Sequence, residues 1–76
     1  MTKLQKEKHI NSILQLIKAI PGIKENRFGN FQVKEKNVTF FIKANNLRIE
    51  RDKICIFSKP WIRITAEEIT KRISLL

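Results

Sequence analysis

The stretch NVTFFIKANNLRIE, residues 37–50, decides the fold, because it has the pattern of two strands joined by a turn. Apolar residues alternate with other residues in both halves: Val38, Phe40 and Ile42 before the turn, and Leu47 and Ile49 after it. A period of two is typical of strands that bury one face. Asn45 and Asn46 stand between the halves, and asparagine tolerates the positive φ of a tight turn. The stretch therefore predicts a β-hairpin with a two-residue loop.

Phe40 and Phe41 are adjacent in this hairpin, so their side chains point to opposite faces of the sheet. A two-residue loop predicts that Ile42 pairs with Ile49 and that Phe41 pairs with Glu50. Apolar residues then meet apolar residues across the hairpin, as they do in stable strand pairs. One phenylalanine is thereby assigned to the core, and the other to the opposite face.

Two further segments with the same period, FQV from residue 31 and ICIF from residue 54, flank the hairpin. Turn-like residues separate them from it, so we expect a four-stranded antiparallel meander. With two-residue loops the expected pairs are Phe31 with Ile42, Val33 with Phe40, Ile56 with Ile49, Cys55 with Glu50, and Phe57 with Arg48. The expected core face holds Phe31, Val33, Val38, Phe40, Ile42, Leu47, Ile49, Ile54 and Ile56.

A helix is predicted on each side of the meander. Thr2 and Gln5 fit a capping box at the start of the first helix, whose apolar stripe runs to the helix-ending segment IPG at residues 20–22. Thr65 and Glu68 fit a second capping box, followed by a shorter apolar stripe. The segment IKENRFGN between the first helix and the first predicted strand reads as a polar connector, in which Gly29 permits a bulge or an unusual φ.

The segment WIRIT, residues 61–65, is either a fifth short strand or an extended lead-in to the second helix. An extended backbone would direct Ile62 and Ile64 to the core, with Trp61 and Arg63 on the other side. A lone tryptophan in a small domain is more often a packing residue, and we favour that reading for Trp61.

These elements predict one α+β domain over residues 1–76, with the order α-β-β-β-β-α and both helices on one sheet face. The order resembles that of the double-stranded-RNA-binding domain, whose length is also similar. That family has a lysine-rich start to its last helix, whereas the corresponding segment here, TAEEITKR, contains Glu67 and Glu68. An acidic helix start repels phosphate. The resemblance is therefore one of topology, and it carries over no residue role.

Charge gives the strongest indication of function. Sixteen Lys and Arg against seven Asp and Glu leave a net charge of +9, which favours polyanionic partners. Aromatic rings stack on unpaired bases, and cations meet phosphates. We therefore expect a small non-enzymatic module that binds RNA or DNA through the uncovered sheet face. The expected nucleic-acid-binding residues are Lys34, Phe41, Lys43, Arg48 and Phe57, with Arg63 beside them.

The competing hypothesis is a protein-interaction or regulatory module that uses the same face, either as a homodimer or against an acidic partner. Local packing could also cover the two phenylalanines. No apolar run is long enough to span a bilayer and the first residues lack a signal-peptide core, so a cytoplasmic protein is expected. His9 is the only histidine and Cys55 the only cysteine, so we expect no enzyme activity, no metal and no cofactor.

Overall fold

The computed structural model describes residues 2–76 of the chain. Its helices are α1 (Lys3–Lys18) and α2 (Ala66–Ser74), and its strands are β1 (Ile23–Glu25), β2 (Phe31–Val33), β3 (Val38–Ile42), β4 (Asn46–Arg51) and β5 (Ile54–Pro60). Two short 3₁₀ turns, Lys34–Lys36 and Trp61–Arg63, complete the elements. The strands form one antiparallel sheet in sequential order, and both helices contribute to the single buried core beneath it. The α+β prediction with flanking helices is confirmed, but the sheet has five strands and not four.

Both predicted helix starts are present. The Thr2 hydroxyl accepts from Gln5 N at 3.2 Å, and Gln5 Oε1 accepts from Thr2 N at 2.9 Å, which completes the capping box. Thr65 likewise accepts from Glu68 N at 3.1 Å. The Glu68 carboxylate pairs with Lys59 Nζ at 2.6 Å. The cap at Thr65 is therefore present, but the predicted capping box is only half formed, because the Glu68 carboxylate is paired with Lys59 of β5.

Strand β1 lies inside the segment that the sequence predicts as a polar connector. Ile23 pairs with Val33 and Glu25 with Phe31. The return loop is organised by Asn26, whose Oδ1 accepts from the amides of Phe28 and Asn30. Gly29 has a φ of 79°, as its sequence context predicts. The alternation rule misses this strand because it is three residues long and has one apolar side chain.

The β2–β3 and β3–β4 registers are each displaced by two residues from the predicted ones. Phe31 pairs with Phe40 because the β2–β3 connection has four residues and not two. Ile42 pairs with Leu47 because the β3–β4 turn is centred on residues 44–45 and not on 45–46, and Lys43 N donates to Asn46 O at 3.2 Å. Neither Asn45 nor Asn46 has the positive φ of a tight turn. A shift of two residues leaves every side chain on its predicted face, so the division between Phe40 and Phe41 survives.

Trp61 anchors the β3–β4 connection in its observed position. Its Nε1 donates to Lys43 O at 2.7 Å, and its backbone N donates to Asn45 O at 3.2 Å. His9 Nε2 donates to Trp61 O at 2.9 Å, which joins α1 to the same point. Trp61 is 1% exposed and is a packing residue, as the sequence favours.

The segment after β5 is not a strand, and only Ile64 and Thr65 in it are extended. The 3₁₀ turn Trp61–Arg63 places Trp61 and Ile64 in the core, three residues apart, whereas Ile62 is exposed. The expectation that Ile62 and Ile64 share a buried face is therefore wrong. The period of two fails here because the chain turns onto α1 directly after Pro60.

The β4–β5 turn has the predicted two residues, Asp52 and Lys53, with φ angles of 54° and 66°. Arg51 pairs with Ile54, and Glu50 with Cys55, as expected. A β-bulge then interrupts the ladder, and Ile49 pairs with Phe57 instead of Ile56. One extra residue in a strand moves each later side chain of that strand to the opposite face from the predicted one. Phe57 therefore lies in the core at 5% exposure, and its predicted position opposite Arg48 is taken by Ser58.

Lys53 holds a backbone conformation that lysine disfavours and glycine accepts. We expect Lys53→Gly to raise the free energy of unfolding by about 0.5–1 kcal/mol, because it relieves the left-handed strain. Urea denaturation followed by Trp61 fluorescence measures this gain. Lys53→Ala removes the same charge but keeps a β-carbon, so it should give no gain. Equal gains in both variants would assign the effect to charge and contradict the backbone explanation.

Candidate functional site

The surface of interest is the sheet face opposite the two helices, called here the open face. The register places one row across all five strands: Lys24, Gln32, Thr39, Glu50 and Cys55. A second row runs Phe41, Arg48 and Ser58 across β3, β4 and β5. In β2, β3 and β4 these side chains alternate with buried residues, so the faces of these strands follow from strand periodicity.

Phe41 and Arg48 are direct cross-strand partners near the middle of the open face. Phe41 is partly exposed, in contrast to its fully buried neighbour Phe40. Directly opposed side chains in an antiparallel pair are within contact reach of each other. The pair therefore presents an aromatic ring and a guanidinium side by side, which is the combination that the sequence predicted, although with Arg48 and not Glu50 as the partner of Phe41.

Arg48 is held by an acid on its own strand. Its Nε lies 2.8 Å from Oε2 of Glu50, and the two side chains are 42% and 21% exposed. The Nε atom itself is buried, and the carboxylate is not aligned with its N–H, so the contact is an ion pair without a well-formed hydrogen bond. Glu50 thus offsets part of the Arg48 charge and fixes the position of the guanidinium stem.

The other predicted site residues separate into two groups. Lys34 lies in the 3₁₀ turn after β2, Lys43 lies in the β3–β4 connection, and both are exposed. They extend the open face at its two ends, because Lys34 follows the last residue of β2 and Lys43 follows the last residue of β3. Phe57 is in the core beneath Arg72, whose guanidinium carbon is 5.4 Å from the ring centre. Arg63 is exposed on the 3₁₀ turn that packs against α1, so neither residue joins Phe41 on the open face.

A small polar pocket borders the open face where β2 meets β3. Its volume is about 90 Å³, and Gln32, Lys34, Asn37 and Thr39 supply its polar walls. Asn37 has a φ of 54°, and its Nδ2 donates to Asp52 Oδ1 at 3.0 Å, which fixes this corner of the sheet. The sequence did not indicate the pocket, because it forms only with the four-residue turn that replaces the predicted two-residue one.

The positive charge is distributed around the domain rather than concentrated on the open face. Within the strands this face carries Lys24 and Arg48 against Glu50. Further cations lie at the pocket end of the sheet, where Lys34, Lys36 and Lys53 are on turns and Arg51 ends β4. The open face therefore has a weakly basic centre and a more basic rim.

An exposed phenylalanine and arginine also occur together away from the open face. In the β1–β2 loop the Arg27 guanidinium carbon is 4.9 Å from the ring centre of Phe28, and Phe28 is 73% exposed. The pair has the same chemistry as Phe41 and Arg48 but stands on a loop without a surrounding sheet. It therefore serves as a matched control for the open face.

Within residues 2–76, no group of three or more His, Cys, Asp and Glu side chains is arranged to hold a metal ion. In the same range, neither helix has the length and apolar character that crossing a membrane requires. His9 is half-buried and bonded to Trp61 O, which gives it a role in packing α1. Comparison with protein-family models, curated proteins and solved structures gives no significant match.

Proposed function

We propose that the protein binds single-stranded nucleic acid on the open face, with Phe41 stacked on an unpaired base. The observation that carries this proposal is the partly exposed Phe41 directly opposite Arg48, on the sheet face away from both helices, in a chain of net charge +9. A sheet face with a partly exposed aromatic ring suits unpaired bases, whose faces are free for stacking.

The cations along and beside β3 support the proposal, because they could contact the phosphate backbone. Lys34 stands beside Thr39 at the polar pocket, Arg48 stands opposite Phe41, and Lys43 directly follows β3. Alternate residues of a strand are about 6.6 Å apart, so Thr39, Phe41 and Lys43 mark three evenly spaced positions along one line. With about three phosphate contacts, the logarithm of the affinity should fall with the logarithm of salt concentration with a slope of about −2.

We expect Phe41→Ala with Arg48→Ala to weaken binding of a single-stranded oligonucleotide of about ten nucleotides at least tenfold. Base stacking on an aromatic side chain contributes about 1–3 kcal/mol, and the lost phosphate contact adds to it. Fluorescence anisotropy with labelled RNA and DNA at two salt concentrations measures the affinity and its salt dependence.

The matched control is Arg27→Ala with Phe28→Ala, which removes one arginine and one exposed phenylalanine from the β1–β2 loop. Both double variants have the same net charge, so a general charge effect would weaken them equally. Binding that survives in the open-face variant but not in the loop variant would place the site at Phe28. A salt-insensitive dimer in light scattering that Phe41→Ala dissociates would instead make the open face a contact between two copies.

A further inference from the structure

Strand β5 differs from the other strands in having an unpaired edge and exposed apolar side chains together. It is last in the strand order and is hydrogen-bonded to β4 on one side. Among residues 2–76 no strand pairs with its other edge. A sheet edge of this kind presents free backbone donors and acceptors to an additional strand.

The exposed side chains near the start of β5 are apolar, although edge strands commonly carry charged ones. Ile54 is 67% exposed and Ile56 is 37% exposed, with the exposed Cys55 between them. The sequence predicts that both isoleucines lie in the core. Because of the bulge, Phe57 pairs with Ile49 and is buried, and Ile56 has no partner residue in β4. Adjacent exposed apolar residues on an edge strand are a common feature of strand-addition sites.

Pairing of this edge with a second copy of the chain is unfavourable on charge. A two-fold antiparallel pair of β5 strands centred on Ile56 would bring Lys59 of each copy beside Lys53 in the β4–β5 turn of the other. Like charges that face each other across strands are destabilising. Each copy also carries a net charge of +9, so the same edge that repels a second copy attracts an acidic segment.

We propose that the outer edge of β5 binds an extended acidic segment of a protein partner as a sixth strand. Backbone hydrogen bonds along the edge would supply affinity, and Ile54 and Ile56 would meet alternate apolar side chains of the segment. Lys53, in the turn before β5, and Lys59, within β5, would meet its acidic side chains. This surface is distinct from the Phe41 site and does not depend on nucleic-acid binding.

The test uses the full chain labelled with ¹⁵N and a synthetic peptide of alternating Glu and Val, with an otherwise identical Lys and Val peptide as its control. We expect the acidic peptide to shift the amides of residues 54–58 and to slow their hydrogen exchange, while the basic peptide does neither. Ile54→Lys with Ile56→Lys should weaken the acidic peptide at least tenfold, although it adds two positive charges that would otherwise attract it.

The control variant is Leu4→Lys, which places a new charge on an exposed apolar residue of α1 and should leave peptide binding unchanged. Failure of the acidic peptide to bind, or undiminished binding to the Ile54→Lys, Ile56→Lys variant, would overturn the proposal. A concentration-dependent dimer of the unmodified chain that the same double variant abolishes would also overturn it, because a second copy would then cover the edge.

Discussion

Phe57→Ala is expected to lower the free energy of unfolding by about 3–5 kcal/mol, whereas Phe41→Ala should lower it by about 1 kcal/mol or less. The β5 bulge buries Phe57 among the core residues, so truncation leaves a cavity there. Phe41 is partly exposed on the open face and loses mainly its cross-strand contact with Arg48. Urea denaturation followed by fluorescence measures both values, since Trp61 is the single tryptophan and the chain has no tyrosine.

Phe57→Leu provides the control for volume, because it keeps an apolar side chain in the same site and should cost less than the alanine variant. The comparison between the two phenylalanines tests the bulge itself. If Phe57→Ala and Phe41→Ala lowered the free energy of unfolding by equal and small amounts, Phe57 would have to lie on the open face, which would contradict the register of β5. A loss of several kcal/mol would leave little of the roughly 5–15 kcal/mol that holds a small domain folded.

Trp61→Ala is expected to cost about 3–5 kcal/mol as well, for a different reason. The indole fills the core, and its Nε1 closes the β3–β4 connection through Lys43 O. The alanine variant loses both the apolar burial and that hydrogen bond, while the backbone bonds to Asn45 and His9 remain available. Far-UV circular dichroism in urea is the suitable measurement, because the variant has no tryptophan.

Trp61→Phe separates packing from hydrogen bonding. It keeps most of the buried ring but leaves Lys43 O without its donor, so we expect a loss of about 1–3 kcal/mol. Amide hydrogen exchange should also become faster in residues 43–46, since the connection loses an anchor. If Trp61→Phe is as stable as the unchanged protein and its connection exchanges no faster, the Nε1 bond does not determine the β3–β4 register.

The faces of β2, β3 and β4 were predictable from the sequence, even though their registers were not. The alternation of Phe40, Ile42 and Leu47 fixes the faces, and an error of two residues in a loop leaves them unchanged. The helix starts were predictable because a Thr cap and a residue three positions later interact locally. The position of the β3–β4 turn, at residues 44–45 and not 45–46, was not predictable, because Trp61, distant in the sequence, donates hydrogen bonds to Lys43 O and Asn45 O there.

The position of Phe57 was not predictable from alternation. Nothing in the run ICIF distinguishes a regular strand from one with an extra residue at Ile56, yet that residue reverses the faces after it. The candidate site changes accordingly. Lys34, Phe41, Lys43 and Arg48 remain on or beside the open face, while Phe57 and Arg63 do not. The expected pair of stacking rings is thus reduced to one, and the proposed base stacking depends on Phe41.

Chemical-shift mapping of the ¹⁵N-labelled chain with a single-stranded oligonucleotide, at low and at raised salt, tests the open-face proposal most directly. We predict saturable shifts at low salt that are largest at Thr39, Phe41 and Arg48, with Lys34 and Lys43 at their edges, and that diminish as salt is raised. The buried-face amides and α1 should change little. Absence of saturable shifts, or shifts confined to α1 and the Arg27–Phe28 loop while Phe41 and Arg48 stay unmoved, would contradict the proposal.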